Sequence, residues 1–236
     1  MSRRTLLLAA MASAAAACSS TRAAQPDGTT VPQLVSGIPA SAPAGALSGV
    51  ANPPKSKVPG SVVMVGDSIT ALSKDALTSV LGVVGFAKVT IDAEPSRRIE
   101  IGSKKPKPGL DVIKFIAAKD PPQMWVIGLG TNDAGQFATD AEYKSLIDDV
   151  LAQIPTTAPL VWMTVYRSDH LPGCVQFNNV LRLTLKDRGN ATIADWYQQC
   201  VTNKATILSG DGVHPNASGI LVFADTIRTA IAQRLA

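Results

Sequence analysis

Between residues 61 and 236 the chain alternates short apolar, β-branched runs with segments that repeat at helical spacing. The runs are SVVMVG (61–66), AKVTIDA (87–93), QMWVIGLG (123–130), PLVWMTVY (159–166) and ATIADW (191–196). Each has the length of a strand and residues that suit a pleated surface. Helices are predicted over 70–82, 109–118 and 174–188, and most clearly where Tyr143, Leu146, Ile147, Val150, Leu151 and Ile154 recur on one face. A last helix starts at Pro215 and aligns Ile220, Ala224, Ile227, Ile231 and Leu235. Strands joined through helices pair in parallel, with right-handed crossovers and helices on both faces of the sheet. Ligands then bind at the carboxyl edge, where the strand order reverses. Gly66-Asp67-Ser68, Thr131-Asn132-Asp133 and the loop after Tyr166 all follow strands, so they share that edge.

The residues before this alternation have a different character. Residues 1–18 run from Arg3 and Arg4 through Leu and Ala to Cys18, the pattern of an export signal, too short and alanine-rich for a stable membrane span. SRRTLLL is similar to a twin-arginine signal, and AAAACSS to a lipoprotein box with Cys18 as the acylated residue. Ala15 stands where the usual leucine would be, and ordinary cleavage nearby is the alternative. Residues 19–60 are Ala, Pro, Gly, Ser and Thr with few large apolar side chains, and are predicted to be a disordered tether. Residues 61–236 are long enough for one domain with a full core.

Charge narrows the partners. The chain has 22 basic and 18 acidic side chains; without Arg3, Arg4, Arg22, Lys55, Lys57 and Asp27, the domain keeps 17 of each sign. A nucleic-acid footprint would lie on the domain itself, so that class is disfavoured. The absence of heptads or a long apolar surface run points to a monomer. Membrane contact is expected only through an N-terminal lipid anchor. In an exported protein Cys174 and Cys200 are candidates for a disulfide, with two buried free thiols as the alternative. No cysteine has metal-ligand spacing to a histidine, so no metal is expected.

A serine at the end of a buried strand is either a helix cap or a nucleophile. Ser68 as nucleophile requires a base, an orienting acid and oxyanion donors. The sequence contains two histidines, His170 and His214. Asp169 and His170 are adjacent, so their side chains diverge, and His170 reads as a residue of the cleft rim. Asp211 and His214 are three apart in a glycine-containing turn before a proline-started helix, which can bring carboxylate to imidazole. Asn132 either aims its amide into the same cleft or belongs to a simple turn.

Taken together, these pieces resemble the SGNH (GDSL-type) hydrolases, in order and across nearly all of 61–236. The resemblance rests on Gly66-Asp67-Ser68, Gly130-Thr131-Asn132-Asp133 and Asp211-Gly212-Val213-His214-Pro215. It implies a three-layer α/β/α, flavodoxin-like sandwich with a parallel sheet of about five strands. It further implies Ser68 as nucleophile, His214 as base and Asp211 as orienting acid, with the Ser68 N–H and the Asn132 amide in the oxyanion hole. Where the family has a glycine after the second strand, this chain offers Ser96, with Gly102 further on. A backbone N–H needs no glycine if the φ/ψ suits serine. The same loop carries Arg97, Arg98, Lys104, Lys105 and Lys107 against Glu100, either a solvated face or a basic rim for an anionic substrate. Arg97 and Arg98 lie closest to the inferred site.

The implied reaction is hydrolysis of acyl esters, short-chain ones foremost and O-acyl groups on envelope carbohydrate among them, through a serine ester and with no cofactor; the partner is an acyl-ester small molecule or an envelope glycan or lipid. GxSxG is absent, so the strained elbow of α/β-hydrolases is not expected. Three alternatives stand beside it: an O-acyltransferase acting on envelope sugars, a lipid esterase, thioesterase or lysophospholipase, and a non-catalytic surface binding module.

Overall fold

The computed structural model describes residues 50–236 other than Ser103; the predicted export signal, Cys18 and the tether up to residue 49 lie outside the described residues. Among the described residues five parallel strands form one sheet: β1 (Ser61–Gly66), β2 (Lys88–Ala93), β3 (Met124–Gly128), β4 (Leu160–Met163) and β5 (Ala191–Ala194), in the order β2-β1-β3-β4-β5. Val62 pairs with Val89 on one side and Met124 on the other, and Trp125 with Leu160. The chain therefore moves outward from β1 to β2, then crosses back to β3. That reversal lies between Gly66 and Gly128, which face each other in register. It is the switch point at which open parallel sheets bind ligands.

The helices are α1 (Ser68–Leu72), α2 (Lys74–Val84), α3 (Gly109–Lys119), α4 (Asp140–Leu151), α5 (Leu171–Arg188), α6 (Trp196–Ile207) and α7 (Ala217–Leu235). α7 packs on α2, α6, β4 and β5, while α4 joins α3 and α5 in the other layer. The central strands β3 and β4 are buried throughout, which explains their unbroken apolar runs. Trp125, Trp162 and Trp196 are fully buried. The Trp162 indole donates to the Leu129 carbonyl at 3.1 Å, and Trp196 meets Phe223 edge-on at 5.2 Å. α4 starts at a capping box: Thr139 Oγ1 accepts from the Glu142 N–H, and Glu142 accepts from the Thr139 N–H. Val50 and Asn52 are held by Arg228 of α7, and Pro53 is buried. Among the described residues no helix is long and apolar enough to cross a membrane.

The architecture expected from the strand–helix alternation is present, with three local differences. The helix predicted over 70–82 is two helices broken at Ser73, whose φ and ψ of −97° and 7° leave the helical range. Apolar spacing cannot report a one-residue break. α6 has no counterpart in the sequence reading, which ended the run ATIADW as strand. Asp195 instead caps a helix there, its side chain accepting the Gln198 N–H at 3.3 Å. Finally, Cys174 on α5 and Cys200 on α6 are free buried thiols and form no disulfide. The Cys174 Sγ turns to the Arg167 carbonyl at 3.9 Å. Burial pushes this thiol up to about 12 and Cys200 well above the ordinary thiol range, so both act as small core side chains.

Candidate active site

At the end of β1 the chain passes Gly66 so tightly that a Cβ there would lie 2.0 Å from Thr70 Oγ1. Asp67 then caps α1, accepting the Ile69 N–H at 3.0 Å, and Ser68 is the first helical residue. Capping thus falls to Asp67, which leaves the Ser68 hydroxyl free for another partner. That partner is His214, whose Nε2 lies 2.9 Å from Ser68 Oγ. His214 Nδ1 lies 2.7 Å from Asp211 Oδ2.

The loop carrying these two residues is held on several sides. Asp211 Oδ1 accepts from the Val213 and His214 backbone N–H groups, both at 3.0 Å. Gly212 turns the chain at a φ of 68°. Its carbonyl accepts the Ser168 N–H at 3.1 Å, which braces the loop against the segment after β4. Asn216 caps α7 through the Gly219 N–H at 3.0 Å. Asp211 is held down to about 2, first by its hydrogen bond with His214 and then by the Val213 N–H. It is therefore a fixed negative charge beside the ring, and which ring nitrogen carries the proton follows from that pairing.

Two buried acids lie behind the site. Asp67 is pushed up to about 6 by burial, against the opposing pull of the Ile69 N–H and the nearby Thr131 hydroxyl. Its Oδ2 is buried without a well-formed hydrogen bond. Asp133, fully buried, is also raised by burial, and the Arg98 guanidinium and the Ile99 N–H pull it back.

Asn132 follows β3 in a turn closed by the Asp133 and Ala134 N–H groups on the Gly130 carbonyl at 3.0 and 2.9 Å. Its Nδ2 donates one hydrogen to the Arg97 carbonyl at 3.1 Å. Ser96 sits in a Glu94-Pro95-Ser96-Arg97 turn with φ at 60°, among the described residues the one non-glycine with positive φ. Proline followed by a positive φ is the pattern of a type II turn. Serine here therefore occupies the left-handed backbone region that a glycine would take without strain.

The expected basic rim is not formed by Arg97 and Arg98. Arg97 is 1% exposed, and its guanidinium donates to the carbonyls of Gly66, Asp92 and Lys107 at 3.1, 2.9 and 3.1 Å. It also pairs with Asp92 and Glu94 at 2.8 and 3.4 Å. Arg98 binds Asp133 at 3.2 Å and lies 5.8 Å from the centre of the Phe137 ring. Both side chains fold inward because buried carbonyls and a buried carboxylate require donors. His170 stays at the mouth of the loop after β4, half-exposed and packed against Gly135. Asp169 pairs in bidentate fashion with Arg167 at 2.9 and 2.7 Å and stands 3.8 Å from His170. Among the described residues no group of His, Cys, Asp and Glu is arranged to hold a metal.

Sequence reasoning missed Ser168 and Asp133. Only the adjacency of Asp133 to Asn132 hinted at its part: its Oδ2 accepts the Ile99 N–H at 3.1 Å, tying the β2–α3 loop to the β3–α4 turn. Tyr143 also went unseen as a support; its hydroxyl accepts the Gly135 N–H at 2.8 Å.

Comparison with family models and with curated proteins found no match for the chain. Solved structures do match. The catalytic domain of Streptococcus pneumoniae peptidoglycan O-acetyltransferase A, with a methylsulfonyl adduct, aligns at TM-score 0.59 and 22% identity, over 75% of this chain and 95% of that one. A lipase/acylhydrolase from Enterococcus faecalis aligns at 0.58 and 20%, over 74% and 96%. An SGNH hydrolase of Slackia heliotrinireducens aligns at 0.54 and 16%, over 74% and 100%. At these identities the likeness is one of architecture, and the described domain has the α/β fold of the SGNH hydrolases.

Proposed function

We propose that this protein is an exported serine esterase that hydrolyses acyl esters by way of a Ser68 acyl-enzyme. The observation that carries this reading is the unbroken line from Ser68 Oγ to His214 Nε2 at 2.9 Å and from Nδ1 to Asp211 at 2.7 Å. In the first half-reaction Ser68 Oγ bonds to the ester carbonyl carbon while His214 takes its proton, and Asp211 stabilises the imidazolium. The tetrahedral oxyanion is met by the Ser68 and Ser96 N–H groups and by the Asn132 amide hydrogen not engaged by Arg97. His214 then gives its proton to the leaving alcohol. Water attacks the acyl-enzyme by the reverse sequence and releases the acid. No cofactor takes part in these steps.

A second reading is supported by two observations. The O-acetyltransferase domain shares the fold, and the side chains of Asp211 and His214 are 50% and 35% exposed. An acceptor larger than water can reach an imidazole that open, so transfer to an envelope sugar is the alternative second half-reaction. The small domain and its N-terminal segment suit either outcome, with Cys18 acylated as the membrane anchor.

The deciding assay uses p-nitrophenyl acetate and butyrate with the full chain and with Ser68→Ala. Equal turnover by the two proteins would remove Ser68 as nucleophile. Adding an envelope-type sugar then separates the acceptors: an acylated sugar above the hydrolysis background favours transfer, and free acid alone favours the esterase. Labelling cells with an alkynyl fatty acid, beside Cys18→Ala, tests the anchor.

A further inference from the structure

The three donors assigned to the oxyanion come from three separate segments: Ser68 after β1, Ser96 after β2 and Asn132 after β3. A stabilising hole requires their mutual placement to be held within roughly half an ångström. Strand pairing aligns β1 with β2 as far as Gly66 and Ala93, the Glu94 N–H adds one more bond to the Gly66 carbonyl at 3.3 Å, and the donors lie beyond that ladder. The Arg97 side chain, on the second of these segments, reaches back to the first.

We infer that Arg97 is the positioning residue of the oxyanion hole, holding the Ser68, Ser96 and Asn132 donors in one geometry from beneath the site. This rests on the acyl-transfer reading above. Its guanidinium grips the Gly66 carbonyl at 3.1 Å, two residues before the nucleophile. It grips the Asp92 carbonyl at the end of β2 at 2.9 Å and the Lys107 carbonyl at 3.1 Å, on the return of the same loop. Its backbone completes the arrangement. The Arg97 N–H closes the turn that presents Ser96, on the Glu94 carbonyl at 3.4 Å. The Arg97 carbonyl takes one Asn132 amide hydrogen at 3.1 Å and so aims the other.

Lysine does not satisfy this geometry. The planar fork of arginine serves separate carbonyls in fixed directions, whereas an ammonium on a flexible stem is a point charge. Asp92 and Glu94, each less than half-exposed, neutralise the guanidinium from the solvent side. Burying a cation this fully is costly unless it is paired and hydrogen-bonded, and here three carbonyls and two carboxylates supply the partners. The substrate does not touch Arg97, so the residue acts through the donors that it holds.

The test compares wild type, Arg97→Lys, Arg97→Gln and Ser68→Ala on p-nitrophenyl butyrate. Rates are normalised to sites titrated by the p-nitrophenol released stoichiometrically from a p-nitrophenyl alkylphosphonate. Misplaced donors lower kcat per titrated site by about 100-fold with KM changed less than roughly threefold. Affinity for a boronic acid, which forms a tetrahedral adduct on serine, weakens in parallel with kcat. In an Asn132→Ala background the Arg97→Lys effect shrinks, because the two share one function. Ethylguanidinium partly restores kcat to Arg97→Ala. A merely structural Arg97 would reduce the titratable fraction and leave kcat per site near wild type. That result, with Ser68→Ala inactive, overturns the inference and spares the catalytic reading. Retained turnover in Ser68→Ala overturns the catalytic reading, and the inference with it. If the Arg97 variants do not fold, Asp92→Asn/Glu94→Gln loosens the same fork from partly exposed positions. A fall in its kcat per site at constant KM supports positioning, and unchanged kcat overturns it.

Discussion

His214 Nε2 and Ser68 Oγ meet at 2.9 Å across 146 residues of sequence, while His214 and its hydrogen-bond partner Asp211 are three residues apart. The Asp211–His214 pair is a local product of one loop, and Ser68 is delivered to it by the sheet. The two halves of the site therefore fail in different ways.

Ser68→Ala removes the proposed nucleophile, and the expected loss of kcat on p-nitrophenyl esters is about 10⁴-fold or more. Asp211→Asn keeps the size of the side chain and removes a charge that the folded protein holds down to about pH 2. It also lets the ring settle in the wrong tautomer, with a kcat loss on the order of 10⁴-fold. Thermal melting should change little for Ser68→Ala. Turnover above one-tenth of wild type in either would refute its assigned role.

Stability depends on pH in a direction set by Asp67. Its folded value, about 6, lies above the ordinary 3.8, so the folded state binds the proton more tightly. The unfolding free energy is therefore higher below about pH 4 as far as this group is concerned, and falls as pH rises toward 6. The loss is on the order of 3 kcal/mol for a fully buried group. Asp133, raised by burial, acts in the same direction, and Asp211, lowered, subtracts stability only as pH falls below about 4. Urea midpoints should decline from pH 4.5 to pH 7, and less steeply in Asp67→Asn. Parallel slopes in the two proteins would contradict this.

Ser96 tests the turn. Ser96→Gly relieves a φ of 60° and should leave both kcat and stability close to wild type, since glycine's added chain entropy offsets the relief. Ser96→Val places a β-branched side chain at that φ. It should cost about 1–2 kcal/mol and lower kcat, because the turn must change to accommodate it. Denaturant melts and pre-steady-state rates measure the two effects separately. A valine variant as active as the glycine variant would show that the turn does not shape the hole.

Arg98→Ala leaves the fully buried Asp133 carboxylate without its cation. The expected cost is about 3 kcal/mol of folding stability, with KM for anionic and neutral esters altered alike. A selective rise in KM for anionic esters at unchanged stability would restore Arg98 to the substrate rim.

Cys174 and Cys200, free and buried, should react with a thiol reagent only after denaturation. A reducing agent should leave the melting temperature unchanged. A lowered melting temperature under reduction would reveal a disulfide after all.

The strand–helix alternation was legible in the sequence because periodicity is a local property, and it dictates a parallel sheet with its loops at one edge. The Asp211–His214 pairing was legible for the same reason, since three residues and a glycine turn bring the groups together without help from elsewhere. The destinations of Arg97 and Arg98 were not. In the sequence they belong to a run of basic residues, and such runs usually face solvent. Only the fold places the Gly66 carbonyl, 31 residues away, and the Asp133 carboxylate, 35 residues away, above and beside them. Likewise, whether Cys174 and Cys200 bond depends on where the fold sets α5 and α6. A side chain's identity states what it can bind, and the tertiary structure decides which partner reaches it first with water excluded.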